Sequence, residues 1–356
     1  MNRSLLNVTF ALVLICLIGW LLIVGRSLII PFVIALVVWY VIDSLAKTLE
    51  RIPVVNKRLP RWISLPAAMA VIIAAFILLI DMVATNVSSL AADAPIYQQR
   101  LIGVYESVMA QLGFQQEFDF NRLLPNFNLS RFLSSAAATF TSFAGSTSLI
   151  LIYVLFLLIE QSTFDGKFRA LFSNSERAQF AFDVRDSITR RIRDYLGIKT
   201  AVSVATGLIS YAILEMIGVK YAALFGFIIF LLNYIPTIGS LIGVAFPALL
   251  ALVQFDTLIP FATVVVTLGV VQFSIGNILE PRLMGTSLNL SGLVIMLSLA
   301  LWGAIWGVTG MVLCVPLTVI VMIVCAQFPS TRSVAILLSS RGLLDDPVQN
   351  SESGSD

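Results

Sequence analysis

The chain of 356 residues is 58 % apolar and 12 % charged, with a mean hydropathy of +0.96, where an average soluble domain is about 25 % charged. That balance excludes a soluble globular fold and describes a polytopic membrane protein, and a formal net charge of +2 gives no argument for a nucleic-acid partner. Histidine is absent, which removes His-metal sites, His proton relays and Ser-His chemistry, while Cys16, Cys314 and Cys325 stand singly in apolar segments as small buried hydrophobes.

The first apolar run, Leu5 to Gly25, is long enough to span a bilayer and lacks a small-x-small cleavage site, so it reads as a retained helix. A second span, Leu28 to about Ala46, follows across Gly25-Arg26-Ser27 as the other arm of a tight hairpin. The segment after it carries Lys47, Arg51, Lys57, Arg58 and Arg61 against Glu50 alone, which the positive-inside rule places in the cytoplasm together with the N-terminus. Residues 1–84 thus hold three spans, the third beginning at Trp62. Residues 85–135 turn polar, and Leu101, Val104, Tyr105 and Val108 recur at helical spacing, which predicts amphipathic helix on the extracytoplasmic side. A fourth span covers 136–160. Residues 161–195 are a basic cytoplasmic segment whose stripe of Val184, Ile188, Ile192 and Leu196 predicts a surface helix, with Lys199 continuing the basic set.

The C-terminal core, 196–328, is organised around Asn233-Tyr234-Ile235-Pro236-Thr237-Ile238-Gly239-Ser240. Pro236 removes a backbone donor, Gly239 permits conformations other residues avoid, and Asn233 brings donor and acceptor atoms into an apolar run. Backbone opened at membrane depth is tolerated only where protein or a polar cavity shelters it. The flanking apolar pieces are each short for a crossing, and folding 221–254 as a re-entrant hairpin keeps Arg282, Arg332 and Arg341 on the cytoplasmic side. The run from Leu290 to Phe328 is divided by Gly303, Gly307 and Gly310 into two spans. The total is about eight transmembrane helices plus the re-entrant hairpin, followed by a cytoplasmic tail, 329–356, with a disordered Ser/Asn/Asp-rich end.

Candidate residues follow from polarity inside apolar segments. Asn233, Tyr234, Pro236, Gly239, Gln272 and Asn277 are the expected substrate-binding set, forming a small polar cavity suited to a neutral hydroxylated solute or a monovalent cation. Glu280 and Arg282 flank Pro281 and are expected to form a gate or ion pair. Asp81 and Glu215 are candidates for proton or cation coupling, whereas Asp43 and Glu160 lie near span ends where a carboxylate reaches water. No cofactor or metal is expected, since no ligand motif and no nucleotide-binding loop is present.

The ordered set Asn233 to Ser240, then Glu280-Pro281-Arg282-Leu283-Met284-Gly285, then Val294 to Leu299, Gly310-Met311 and Val315-Pro316-Leu317, resembles the autoinducer-2 exporter family of bacterial membrane proteins. Thr237 and Ser240 depart from it where members often carry an aromatic and Pro. The resemblance implies about eight spans in the bacterial inner membrane, export of a small solute such as autoinducer-2, and a homo-oligomer. Because some members look like sodium or lithium/proton antiporters, that activity stays open beside export. A non-transporting membrane scaffold is the third alternative, and an enzyme is not expected.

Overall fold

A computed structural model describes residues 3–51, 53–54, 57–58, 60–111, 129–171, 175–284 and 289–342. Gly285, the segment 112–128 of the expected extracytoplasmic helices, and the C-terminal end from 343 lie outside the described residues. The fold is all-α. The helices are α1 (Arg3–Val24), α2 (Arg26–Arg51), α3 (Arg61–Gln111), α4 (Leu129–Ala170), α5 (Ser175–Ile217), α6 (Ala222–Leu232), α7 (Ile238–Gln254), α8 (Leu258–Ser274), α9 (Glu280–Met284), α10 (Gly292–Gln327) and α11 (Arg332–Leu338). A single π-helical turn, Ile275–Leu279, joins α8 to α9, and a two-residue antiparallel ladder, Pro53–Val54 with Lys57–Arg58, turns the chain after α2.

Among the described residues, five helices are long and apolar enough to cross a membrane: Arg26–Glu50, Arg61–Val104, Ala178–Ile217, Leu258–Met284 and Gly292–Gln327. Leu12–Val24, Thr147–Gln161, Ala222–Leu232 and Ile238–Gln254 are shorter apolar helices. Helix α3 runs without interruption past residue 84, and α5 unites the expected surface stripe with the following span. Pro95 lies inside α3 without ending it, and no proline falls inside α5.

The chain divides into two compact units. The first comprises Met1–Leu65, Thr147–Ile198 and Met284–Asp356. At Gly25 the expected hairpin is replaced by a one-residue break: Gly25 N donates to the Leu21 carbonyl and Ile29 N to the Gly25 carbonyl, the bonding of a helix carried through the residue. The Trp306 indole Nε1 donates to the Leu22 carbonyl beside this break, at 3.0 Å. Cys16 is exposed on α1, contrary to its expected burial, whereas Cys314 is buried.

Asp43, expected near water, is also buried. It accepts from Lys47 Nζ at 2.6 Å and Arg61 Nη2 at 3.3 Å, with Arg193 Nη2 at 3.7 Å. A carboxylate at the end of a span needs such company because its desolvation is otherwise uncompensated. Glu160 is half-exposed and pairs with Lys167. In α10 the chain reverses at Gly307, whose φ of 62° and ψ of −141° suit glycine alone. Thr318 Oγ1 consequently returns to within 2.9 Å of Ser298 Oγ and accepts from Trp302 Nε1 at 3.3 Å, so the two arms are laced by buried hydroxyls.

The second unit comprises Pro66–Ser146 and Lys199–Leu283. Its core gathers Val83, Leu90 and Tyr97 of α3, Leu214 of α5, Leu224, Phe225 and Ile229 of α6, Ala248 and Leu250 of α7, and Val264 and Leu268 of α8. Helices α6 and α7 form a helical hairpin of 11 and 17 residues, or about 16 and 25 Å at 1.5 Å per residue. Both arms fall short of the roughly 30 Å hydrocarbon thickness.

Gln254 closes the open end of the hairpin, donating to the Gly218 carbonyl at 2.7 Å and accepting from the Lys220 backbone N–H at 2.8 Å. Asp93 of α3 braces that end by accepting from the Tyr221 hydroxyl at 2.8 Å, with Lys220 Nζ at 3.4 Å. Arg100 donates to the carbonyls of Val253 and Gln254.

Candidate substrate site at the hairpin tip

The tip, Asn233 to Thr237, shows where backbone groups freed by Pro236 go. Asn233 N donates to the Ile229 carbonyl, Ile235 N to Leu232, Ile238 N to Pro236 and Gly239 N to Ile235, so the tip satisfies most of its own polar groups through short-range bonds. Thr237 adopts φ 60° and ψ −55°, an unusual conformation for a β-branched residue. Gly239 is required by a close approach: a Cβ there would lie 1.8 Å from the Leu232 carbonyl oxygen. Proline and glycine thus make a turn tight enough to keep the arms in contact.

Polar side chains converge on this tip from α5. The buried Asn233 Nδ2 donates to Ser203 Oγ at 3.0 Å, and the Tyr234 hydroxyl donates to Thr200 Oγ1 at 2.8 Å. Ser203 belongs to a stripe of buried polar residues, Lys199, Ser203, Thr206 and Ser210, that recurs every three or four residues and so occupies one face of α5. Thr206 returns its hydroxyl to the Val202 carbonyl, whereas buried Ser210 Oγ has no hydrogen-bond partner among the described residues. The stripe packs close to the hairpin because small residues allow it. A Cβ on Gly207 would meet the Gly226 carbonyl oxygen at 2.8 Å, and one on Gly226 would meet Tyr211 Cβ at 2.7 Å.

From α8, Gln272 is 6 % exposed, and its Nε2 lies 3.3 Å from where a Gly243 Cβ would stand. The glycine leaves room for the amide.

Several expectations change. Glu280 does not pair with Arg282; its carboxylate accepts from buried Lys199, and Arg282 is exposed. Residues two apart on a helix point to different faces, whereas Lys199 of α5 approaches Glu280 from across the unit's own packing. Lys199 itself was expected on a solvated basic face. Asn277 is exposed and donates to the Phe273 carbonyl at 3.2 Å, a bond within its own helix. Asp81 and Glu215 are exposed, and neither has a salt bridge among the described residues. Pro236 and Gly239 shape the turn without contributing polar side-chain atoms. Sequence reading missed Lys199, Thr200 and Ser203; the signal was the polar spacing of four, three and four through Lys199, Ser203, Thr206 and Ser210.

The arrangement offers hydroxyls, amides and an internally neutralised ion pair, which suit hydrogen bonding to a small polar molecule. Among the described residues no cluster of acidic, Cys or His side chains could hold a metal.

Comparison with known proteins gives this geometry its context. The model of the AI-2E family of transporters matches residues 10–330. The AI-2 transport protein TqsA of Escherichia coli (strain K12) is 32 % identical over 88 % of this chain and 90 % of its own. A Haemophilus influenzae protein whose name assigns transport provisionally is 31 % identical over 95 % of this chain and 96 % of its own. E. coli YhhT, named with the same reserve, is 29 % identical over 80 % and 83 %.

Proposed function

This chain belongs to the AI-2E family of transporters, and from that premise we propose that it exports a small, uncharged, hydroxylated solute through a site at the tip of the α6–α7 hairpin. It is a multi-pass membrane transporter; the solute, the direction and the site are our reading. The observation that carries it is the convergence of buried Asn233 with Ser203 and of Tyr234 with Thr200, close to the ion pair of buried Lys199 with the partly buried Glu280. Hydroxyls and amides that hydrogen-bond one another can exchange those bonds for a solute's hydroxyls with little net cost. Two short arms that both turn back at Pro236 support a re-entrant hairpin, whose opened tip serves the same purpose as the broken helices of transporters. TqsA's name makes autoinducer-2 the first solute to test.

The inner membrane, cytoplasmic termini and a homo-oligomer complete the proposal, with basic segments supporting the orientation. The alternative sodium or lithium/proton antiporter needs a titrating carboxylate in the site. Glu280 is the candidate carboxylate beside the tip, and Lys199 already neutralises it, so solute export is the stronger reading.

The test is efflux of labelled autoinducer-2 from proteoliposomes containing this protein alone, with sodium-induced proton movement measured in parallel. Solute efflux that Asn233→Leu abolishes is the expected result. Proton movement without solute efflux replaces the exporter by the antiporter, and neither flux favours the scaffold.

A further inference from the structure

Lys199 and Glu280 lie where nothing in the transport reading demanded a charge, and their placement bears on what the site admits. Lys199 is 4 % exposed. It precedes Thr200, which binds the Tyr234 hydroxyl, and stands four residues before Ser203, which binds Asn233, so it shares the Ser203 face of α5 one turn from the tip. Glu280 opens α9 directly after the π-helical turn Ile275–Leu279. Such turns are uncommon and concentrate at functional sites. The same α8 helix bears Gln272, two turns before Glu280.

An ion pair with its lysine buried and its carboxylate 18 % exposed is weak support for stability, because desolvation offsets most of the attraction. Two hydrophobic residues would join α5 to this helix at least as well. The pair does have one electrical consequence: it puts strong dipoles beside the site while leaving no net charge there. A neutral solute meets a neutral lining. An anion or cation would enter a lining of neutral hydroxyls and amides without a counter-charge, since each charge of the pair is already engaged by the other.

Resting on the tip as the solute site, we propose that Lys199–Glu280 is the charge filter of this transporter, restricting it to uncharged hydroxylated solutes, and that neutralising either partner transfers selectivity to the ion of opposite sign. Glu280→Gln leaves the Lys199 ammonium uncompensated, which recruits an anionic solute. Lys199→Gln leaves the Glu280 carboxylate, which recruits a cationic one. Removing both restores a neutral lining.

The experiment uses the full chain purified in detergent and reconstituted in liposomes. Uptake is measured for three probes of one size: erythritol, the carboxylate erythronate, and the ammonium 4-amino-1,2,3-butanetriol. Each variant is first checked for a monodisperse size-exclusion profile, and the exchanged pair Lys199→Glu/Glu280→Lys supplies a variant that keeps the ion pair if a single neutralisation fails to fold.

The expected results are a preference for erythritol in the starting protein, Lys199→Gln/Glu280→Gln and the exchanged pair. Glu280→Gln should gain at least about ten-fold in erythronate over erythritol, equivalent to about 1.4 kcal/mol, with the mirror gain for the ammonium probe in Lys199→Gln. Folded single variants that lose all probes in proportion, or keep the starting preference, overturn the filter and leave the pair a structural tie. If neither single variant folds, an exchanged pair that also fails to prefer erythritol overturns it as well. A starting protein that moves no probe while the single variants gain their ions overturns the neutral-solute export reading and keeps only the pair's exclusion of ions.

Discussion

Asn233 and Ser203 are joined by a 3.0 Å hydrogen bond between two buried side chains thirty residues apart, tying the tip of a helical hairpin to the polar face of α5. The bond satisfies the amide donor and fixes the position of the tip relative to Thr200 and Lys199. Asn233→Ala leaves Ser203 Oγ without this partner and opens a small void. It should destabilise the protein by about 1–3 kcal/mol and reduce solute flux more than folding explains. Denaturant unfolding in detergent and proteoliposome flux, measured on Asn233→Ala and Ser203→Ala, check both effects. If the bond matters as a unit, the double variant costs less than the two single costs added. Strict additivity would count against it.

The tip also depends on an absent side chain. A Cβ at Gly239 would come within 1.8 Å of the Leu232 carbonyl oxygen, a backbone atom that cannot move without opening the turn. Gly239→Ala should therefore cost more than about 3 kcal/mol and lower the yield of folded protein. Gly269 is the control, since a Cβ there meets nothing within 4 Å in the middle of α8. Gly269→Ala should be neutral or stabilise by up to about 1 kcal/mol through helix propensity. Comparing the melting temperatures of the two variants tests the contact, and equal effects would dismiss it.

Much of this geometry is legible in the sequence, and the losses have physical causes. Proline, glycine and asparagine in an apolar run identify the hairpin tip because each changes backbone options locally. The Gly307 reversal is readable for the same reason. Partners across space are another matter. Glu280 and Arg282 attract attention because they are neighbours in sequence, yet Lys199, 81 residues away, takes the carboxylate. Lys199 is masked by the basic residues before it, whose number argues for a solvated face. Only its register with Ser203, Thr206 and Ser210 distinguishes it. Asn277 errs the other way: its amide finds the Phe273 carbonyl on its own helix, an option open to any helical Asn and invisible to a hydropathy profile.

The reversal in α10 separates two kinds of glycine requirement. Gly307 has open space around a built Cβ but a φ of 62° with ψ −141°, so Gly307→Ala meets only backbone strain of about 1–3 kcal/mol. Gly310 has ordinary helical backbone, but a Cβ there would stand 1.9 Å from the Trp302 carbonyl oxygen. Gly310→Ala should be the more damaging, with loss of the monodisperse peak in size-exclusion chromatography where Gly307→Ala retains it. The opposite order would place the constraint in the conformation of Gly307 and not in the packing of the arms.

Asp43 gives the clearest case of a charge retained for its neighbours. Its buried carboxylate accepts from Lys47 and Arg61 and faces Arg193, whose buried Nε has no hydrogen-bond partner among the described residues. Asp43→Asn preserves the shape but removes the only negative charge among these four side chains, leaving three cations to repel one another. Their side chains are 40 to 57 % exposed, so water screens much of that repulsion. The remaining loss of charged hydrogen bonds should cost about 1–3 kcal/mol. Adding salt should recover part of it, since screening weakens repulsion among half-exposed cations. Unfolding of Asp43→Asn in 50 mM and 500 mM sodium chloride, against the starting protein, tests this: a deficit that is unchanged by salt would mean that lost packing, not charge, sets the cost.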